Sequence, residues 1–141
     1  MEFIRDIHAR CQHQRRPALS FEFFPPKTAE GERLLFERTL PALMAIRPDY
    51  CSVTYGAGGS TREKTLGIVD RIQRDHGLVA MAHLTCVNST RAMLQAVLEE
   101  AKARGIWNLL ALRGDPPAGT EEWTAVDGGF QFSWELVRFI R

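Results

Sequence analysis

Cysteine is scarce in this chain. Cys11, Cys51 and Cys86 are odd in number and far apart. That excludes a disulfide framework and a cysteine-based zinc site, so reduced thiols and a cytoplasmic setting are expected. A strong charge of either sign is also missing, because 18 Lys+Arg against 17 Asp+Glu leave a formal net charge of +1. Electrostatics therefore give no reason to expect nucleic acid or an anionic membrane as partner. No apolar run reaches the ~18 residues of a membrane-spanning helix. The polar opening MEFIRDIHARCQHQRRPALS lacks the apolar middle of a signal peptide. Low-complexity tracts and repeats of solenoid period are absent as well. What remains is a chain of 141 residues, 45% hydrophobic and 25% charged, enough for one globular domain with its own core.

What the sequence does contain is an alternation of short β-rich runs with longer helical ones. Phe3, Ile4, Ile7 and Cys11 recur at helical intervals, which predicts a leading helix over about residues 2–14. Strands are predicted over 18–24, 50–55, 78–85 and 106–112, the first closed by Pro25-Pro26 and the second by GAGGS. Thr28 is the candidate N-cap of a helix from Ala29, which Pro41 kinks or restarts before Pro48 ends it. Further helices are predicted over about 61–75, stopped by Gly77, and from Ser89 or Thr90 to Gly105, with a last one over 132–141. The helix that ends near Gly105 turns Met93, Leu94, Val97 and Leu98 to one face.

Four βα units in a row imply parallel strands, since parallel neighbours need a helical crossover. Unusual polar groups stand at or near the end of every strand: Glu22, Thr54, His83 with Thr85, and Arg113 with Asp115. A doubly wound sheet gathers such groups at one switch point, whereas a (β/α)8 TIM-type barrel spreads them around its C-terminal rim. The barrel is the expected fold. Because a barrel takes roughly 250 residues, residues 1–141 read as about the first four βα units, the truncated N-terminal part of one domain.

The stretch SFEFFPPKT sets one carboxylate among three phenylalanines. Strand alternation puts Ser20 and Glu22 on one face and Phe21 and Phe23 on the other. In a barrel the phenylalanines meet the helices and Glu22 points inward, where desolvation raises a carboxyl pKa and suits it to general-acid work. An interior Glu paired with an arginine, or capping backbone amides, fits the same pattern. YGAGGST offers backbone amides to an anion, yet it matches neither GxGxxG nor a P-loop. Ser60 and Glu63 there have capping-box spacing, which favours a structural turn. His83 has no second ligand at metal spacing, so no metal is expected. RGD at 113–115 delivers either a polar rim group or a structural salt bridge.

In their order and spacing, SFEFFPPKT, PDYCSVTYGAGGSTREKT, AHLTC and ALRGDPP resemble the methylenetetrahydrofolate reductase family, from about Ala18 to the end. The resemblance implies a flavin-dependent (β/α)8 barrel of folate and one-carbon metabolism. Such an enzyme reduces 5,10-methylenetetrahydrofolate to 5-methyltetrahydrofolate, on the way to methionine, with electrons from NADH or NADPH through bound FAD. It implies that Glu22 is the general acid that opens the substrate's imidazolidine ring. Asp115 would lie near the flavin pyrimidine and the pterin, and Thr54, His83, Arg113 and Gly114 would contact FAD. A folate substrate and a homo-oligomeric complete protein are implied with them. Where the family commonly has a tyrosine followed by a small residue, this sequence has Phe132, Ser133 and Trp134. Two alternatives stand beside this reading: a non-catalytic half-barrel that needs a second chain, and a different FAD-dependent barrel resembling proline dehydrogenase.

Overall fold

The computed structural model describes residues 2–55, 62–115 and 124–141. Four strands, β1 (Ser20–Phe23), β2 (Tyr50–Val53), β3 (Ala80–Thr85) and β4 (Asn108–Leu112), form one parallel sheet in the order β1-β2-β3-β4. The helices are α1 (Ile4–His13), α2 (Ala29–Leu34), α3 (Leu40–Met44), α4 (Arg62–His76), α5 (Arg91–Ala103) and α6 (Ser133–Ile140), with a π-helical turn (Leu35–Thr39) between α2 and α3. The predicted strands are all present but shorter. β1, for example, starts at Ser20 because the Leu19 N–H bonds the Asp49 carboxylate at 2.9 Å instead of joining a ladder.

Alternation gives the sheet two unlike faces. On one, Cys51, Val53, Ala80, Ala82 and Leu84 are each at most 2% exposed. They share a single apolar cluster with Leu35, Phe36 and Leu40, with Leu66, Val69 and Ile72 of α4, with Leu94, Val97 and Ala101 of α5, and with Leu136 of α6. Burial of each large aliphatic side chain there contributes roughly 1.5–3 kcal/mol, which makes this face the core. The register carries Glu22 opposite Ser52, Ser52 opposite Met81, and His83 opposite Leu110 on the other face. No helix covers that face toward its C-terminal end among the described residues, and Leu110 stays 36% exposed.

The N-terminal end of the open face is covered by α1. Its Ile4 N–H donates to Asn108 Oδ1 at 3.0 Å, and Asn108 Nδ2 donates back to the Glu2 carbonyl at 3.1 Å. His8 and the Tyr50 hydroxyl meet at 3.2 Å, while Ile7 and Cys11 are buried beneath. Arg16 then grips Asp49 with two hydrogen bonds of 2.8 and 2.6 Å. The leading helix thus plugs one end of the sheet and leaves the opposite end open.

Local chemistry accounts for the helix ends. Thr28 Oγ1 accepts from the Gly31 N–H at 3.0 Å, and Thr90 Oγ1 from the Met93 N–H at 3.3 Å, both as N-caps. Gly77 (φ +62°) and Gly105 (φ +68°) take the left-handed conformation that follows α4 and α5. Pro41 has no N–H to give a carbonyl one turn back. The chain widens to a π turn, in which the Leu40 N–H reaches the Leu35 carbonyl, and α3 restarts with Pro41 in its first turn. One expected core residue is displaced: Met93 is 40% exposed. It lies about 75° around α5 from the centre of the stripe formed by Leu94, Val97 and Ala101.

Candidate active site

Three side chains from three adjacent strands meet on the open face. Glu22 of β1 leans across β2, where the Ser52 hydroxyl donates to its Oε2 at 3.3 Å. The same oxygen lies 3.4 Å from His83 Nε2 of β3. That second contact is not aligned as a hydrogen bond, and His83 Nε2 is a buried atom without a hydrogen-bond partner among the described residues. Desolvation by burial pushes the His83 pKa below its usual value, and the nearby Glu22 charge opposes the shift. Burial thus favours the neutral form of His83. Its own side chain is 9% exposed, whereas that of Glu22 is 51% exposed. Glu22 thus points to the expected face but not into a dry interior, because no opposite wall covers it among the described residues.

The remaining rim groups gather one step further along the strands. Thr85 follows His83 on the same face of β3, roughly 7 Å away at strand rise. With Tyr55, Val87, Leu112, Arg113, Gly114 and Asp115 it lines a cavity of about 440 Å³. That size suits a small-molecule site. Thr85 Oγ1 is a second buried polar atom with no hydrogen-bond partner among the described residues. A buried group left unsatisfied costs about 1–3 kcal/mol, so a polar ligand edge placed here would recover it.

Gly114 is a steric requirement of the rim. Its φ is +88°, and a Cβ there would lie 2.8 Å from Val87 Cγ1 and 3.2 Å from Thr85 Cβ. The exit of β4 consequently packs straight onto the exit of β3. Cys86 tightens the same junction, its Sγ lying 3.4 Å from the Leu112 carbonyl and 3.6 Å from that of Phe132. Burial pushes its thiol up to about 11, so it is an unreactive packing group. Arg113 and Asp115 are exposed, and the Arg113 guanidinium stands 6.0 Å from the Phe132 ring centroid.

Thr54 is held through its backbone. Its N–H donates to the Phe23 carbonyl at 2.9 Å, and its carbonyl accepts from Thr65 Oγ1 of α4 at 3.0 Å. Lys64 in the same first turn of α4 donates to the Pro26 carbonyl and so ties α4 to the end of β1. Of the residues that the sequence singles out, Glu22 and His83 come together, and Arg113, Gly114 and Asp115 line one cavity with Thr85. The GAGGS turn and its capping-box spacing lie outside the described residues. Ser52 is a site residue that the sequence reading misses. The signal for it is the alternation Tyr50, Ser52, Thr54 within YCSVTY, which puts a hydroxyl on the face that Glu22 occupies.

A family model described as methylenetetrahydrofolate reductase matches residues 6–141. The chain is 48% identical over 126 residues to a protein of Zea mays called methylenetetrahydrofolate reductase (NADH) 1, a match covering 89% of this chain and 21% of that protein. Identity to a protein of the same name from Arabidopsis thaliana is 46% over 128 residues, 91% of this chain and 22% of the relative. A 5,10-methylenetetrahydrofolate reductase of Salmonella typhimurium is 40% identical over 102 residues, 72% of this chain and 34% of the relative. The matched part is thus about a fifth of the plant relatives and about a third of the bacterial one.

Proposed function

Because the chain belongs to the methylenetetrahydrofolate reductase family, we propose that it supplies the proton-donating part of a site that reduces 5,10-methylenetetrahydrofolate to 5-methyltetrahydrofolate. NADH or NADPH would be the electron donor and FAD the implied cofactor. The observation that carries the proposal is Glu22, a carboxyl standing on the open face beside the rim cavity and contacted by Ser52 and His83. The substrate's imidazolidine ring must open before its methylene carbon can be reduced, and a proton on the leaving nitrogen makes that bond break. Glu22 holds and donates this proton.

A flavin, when bound, supplies the two-electron reduction. Thr54, His83, Arg113, Gly114 and Asp115 would hold it. The fit rests on two buried polar atoms that lack a hydrogen-bond partner among the described residues, His83 Nε2 and Thr85 Oγ1, and on the cavity of about 440 Å³ that Thr85 helps to line. The Asp115 carboxylate would disfavour negative charge on a flavin held there and would help to orient the folate. The uncovered face, with β1 and β4 at its edges among the described residues, supports continuation of the sheet into a closed (β/α)8 barrel.

A chimera tests this. The chain replaces the matched 126-residue segment of the maize relative, and the product is assayed for flavin absorbance and for folate turnover with NADH. Retention of both is the expected result. A folded chimera that carries flavin but cannot reduce methylenetetrahydrofolate contradicts the proposal.

A further inference from the structure

A serine on a buried strand position needs a partner for its hydroxyl. Ser52 is 7% exposed, and its register partner on β1 is Glu22. Glu22 could extend straight from β1 into open space. Instead its carboxylate crosses β2, so that Oε2 lies 3.3 Å from Ser52 Oγ and 3.4 Å from His83 Nε2. Both contacts fall on one oxygen. No hydrogen bond reaches Oε1 among the described residues. We infer that Ser52 is a positioning residue: its hydroxyl pins Oε2, holds the carboxyl across the sheet beside His83, and leaves Oε1 as the oxygen presented to the substrate nitrogen. The inference rests on the reading of Glu22 as the acid. The bond is long for O–H···O, as hydrogen bonds of a catalytic group often are before substrate tightens them.

The consequence is a carboxyl with one committed oxygen and one available one. Without the Ser52 hydroxyl the Glu22 side chain, which is 51% exposed, regains rotamers that carry it away from His83 into solvent. Productive orientation then becomes a minority state, and proton donation slows although the acid is still present.

Two measurements test this, one independent of catalysis. The chain has four histidines, and His83→Gln assigns the His83 signal in a histidine NMR titration. Glu22 on β1 is the charge that raises the His83 pKa against its desolvation, while Ser52 on β2, Thr54 just beyond its end and Leu110, opposite His83 on β4, carry none. Glu22→Gln should therefore lower the His83 midpoint. Ser52→Ala should lower it in the same direction by releasing the carboxylate, and Ser52→Thr, which keeps the hydroxyl, should not. A Ser52→Ala midpoint equal to wild type, with Glu22→Gln shifted, overturns the inference. In the chimera, Ser52→Ala should slow the folate half-reaction by about tenfold, less than the roughly 10²-fold expected for loss of the acid itself. The NADH half-reaction should be unchanged, and Ser52→Thr should restore the rate. Equal slowing of both half-reactions marks a merely structural role and overturns the inference. Normal folate reduction in Glu22→Gln overturns the acid assignment instead, whatever Ser52 does.

Discussion

Gly114→Ala should be far more damaging than alanine at the other left-handed glycines. Two costs act at once. At φ +88° an L-residue sits in a region that costs about 1–2 kcal/mol. The new Cβ would also lie 2.8 Å from Val87 Cγ1, 2.9 Å from Val87 Cβ and 3.2 Å from Thr85 Cβ. Carbon atoms settle at about 3.5–4.0 Å. Val87 is 1% exposed and β-branched, so it cannot swing aside. Overpacking of this kind costs typically about 1–3 kcal/mol, for a combined loss of about 2–5 kcal/mol. That is a large part of the roughly 5–15 kcal/mol that holds a domain together. The controls are Gly77→Ala and Gly105→Ala, where φ is +62° and +68° and an added Cβ would meet no atom within 4 Å. They carry the backbone cost alone, about 1–2 kcal/mol. Urea unfolding of the three variants separates the two costs. If Gly114→Ala costs no more than the controls, the close approach of the β4 and β3 exits is wrong.

Three further outcomes follow from other groups. The Arg16 guanidinium and the Leu19 N–H hold the Asp49 carboxyl far below its ordinary value of 3.8. A depressed carboxyl stabilises the fold fully above its unfolded pKa and loses that contribution as pH falls through the folded one. The stability gap between wild type and Asp49→Asn should thus be widest above about pH 4 and narrow below it, as urea titrations at several pH values would show. Cys86 is 1% exposed and its thiol rises from 9.0 to about 11. Its thiolate fraction at neutral pH is then roughly 100-fold reduced, and a thiol reagent should modify it slowly in the native chain and quickly in urea. Asp115→Asn in the chimera removes a negative charge from the rim, so the flavin midpoint potential should rise; a potentiometric titration showing it unchanged or lowered would contradict the placement.

Much of the architecture is legible in the sequence because its causes are local. Thr28 and Thr90 cap helices through their own hydroxyls, Gly77 and Gly105 stop them through a backbone freedom other residues lack, and period-2 alternation separates Glu22 from Phe21 and Phe23. The site is partly legible for the same reason, since strand ends announce which groups reach a rim. What escapes depends on relations between segments. The partnership of Ser52 with Glu22 needs the β1–β2 register, and the docking of α1 on Asn108 and Tyr50 needs two contacts far apart in sequence. The π turn before Pro41 is a compromise between a missing donor and a continuing helix, and residue preferences do not encode it. The solvation of Glu22 differs from the expected dry interior because desolvation is a property of what stands opposite, not of the strand itself.

The proton-donor role of Glu22 is tested most directly by stopped-flow measurement of both half-reactions in the chimera carrying Glu22→Gln. The amide keeps the shape of the side chain and cannot donate an acidic proton. Reduction of the flavin by NADH should proceed at the wild-type rate, while reduction of methylenetetrahydrofolate should fall by at least ~10²-fold. Folate reduction at the wild-type rate in that variant would contradict the assignment of Glu22 as the acid.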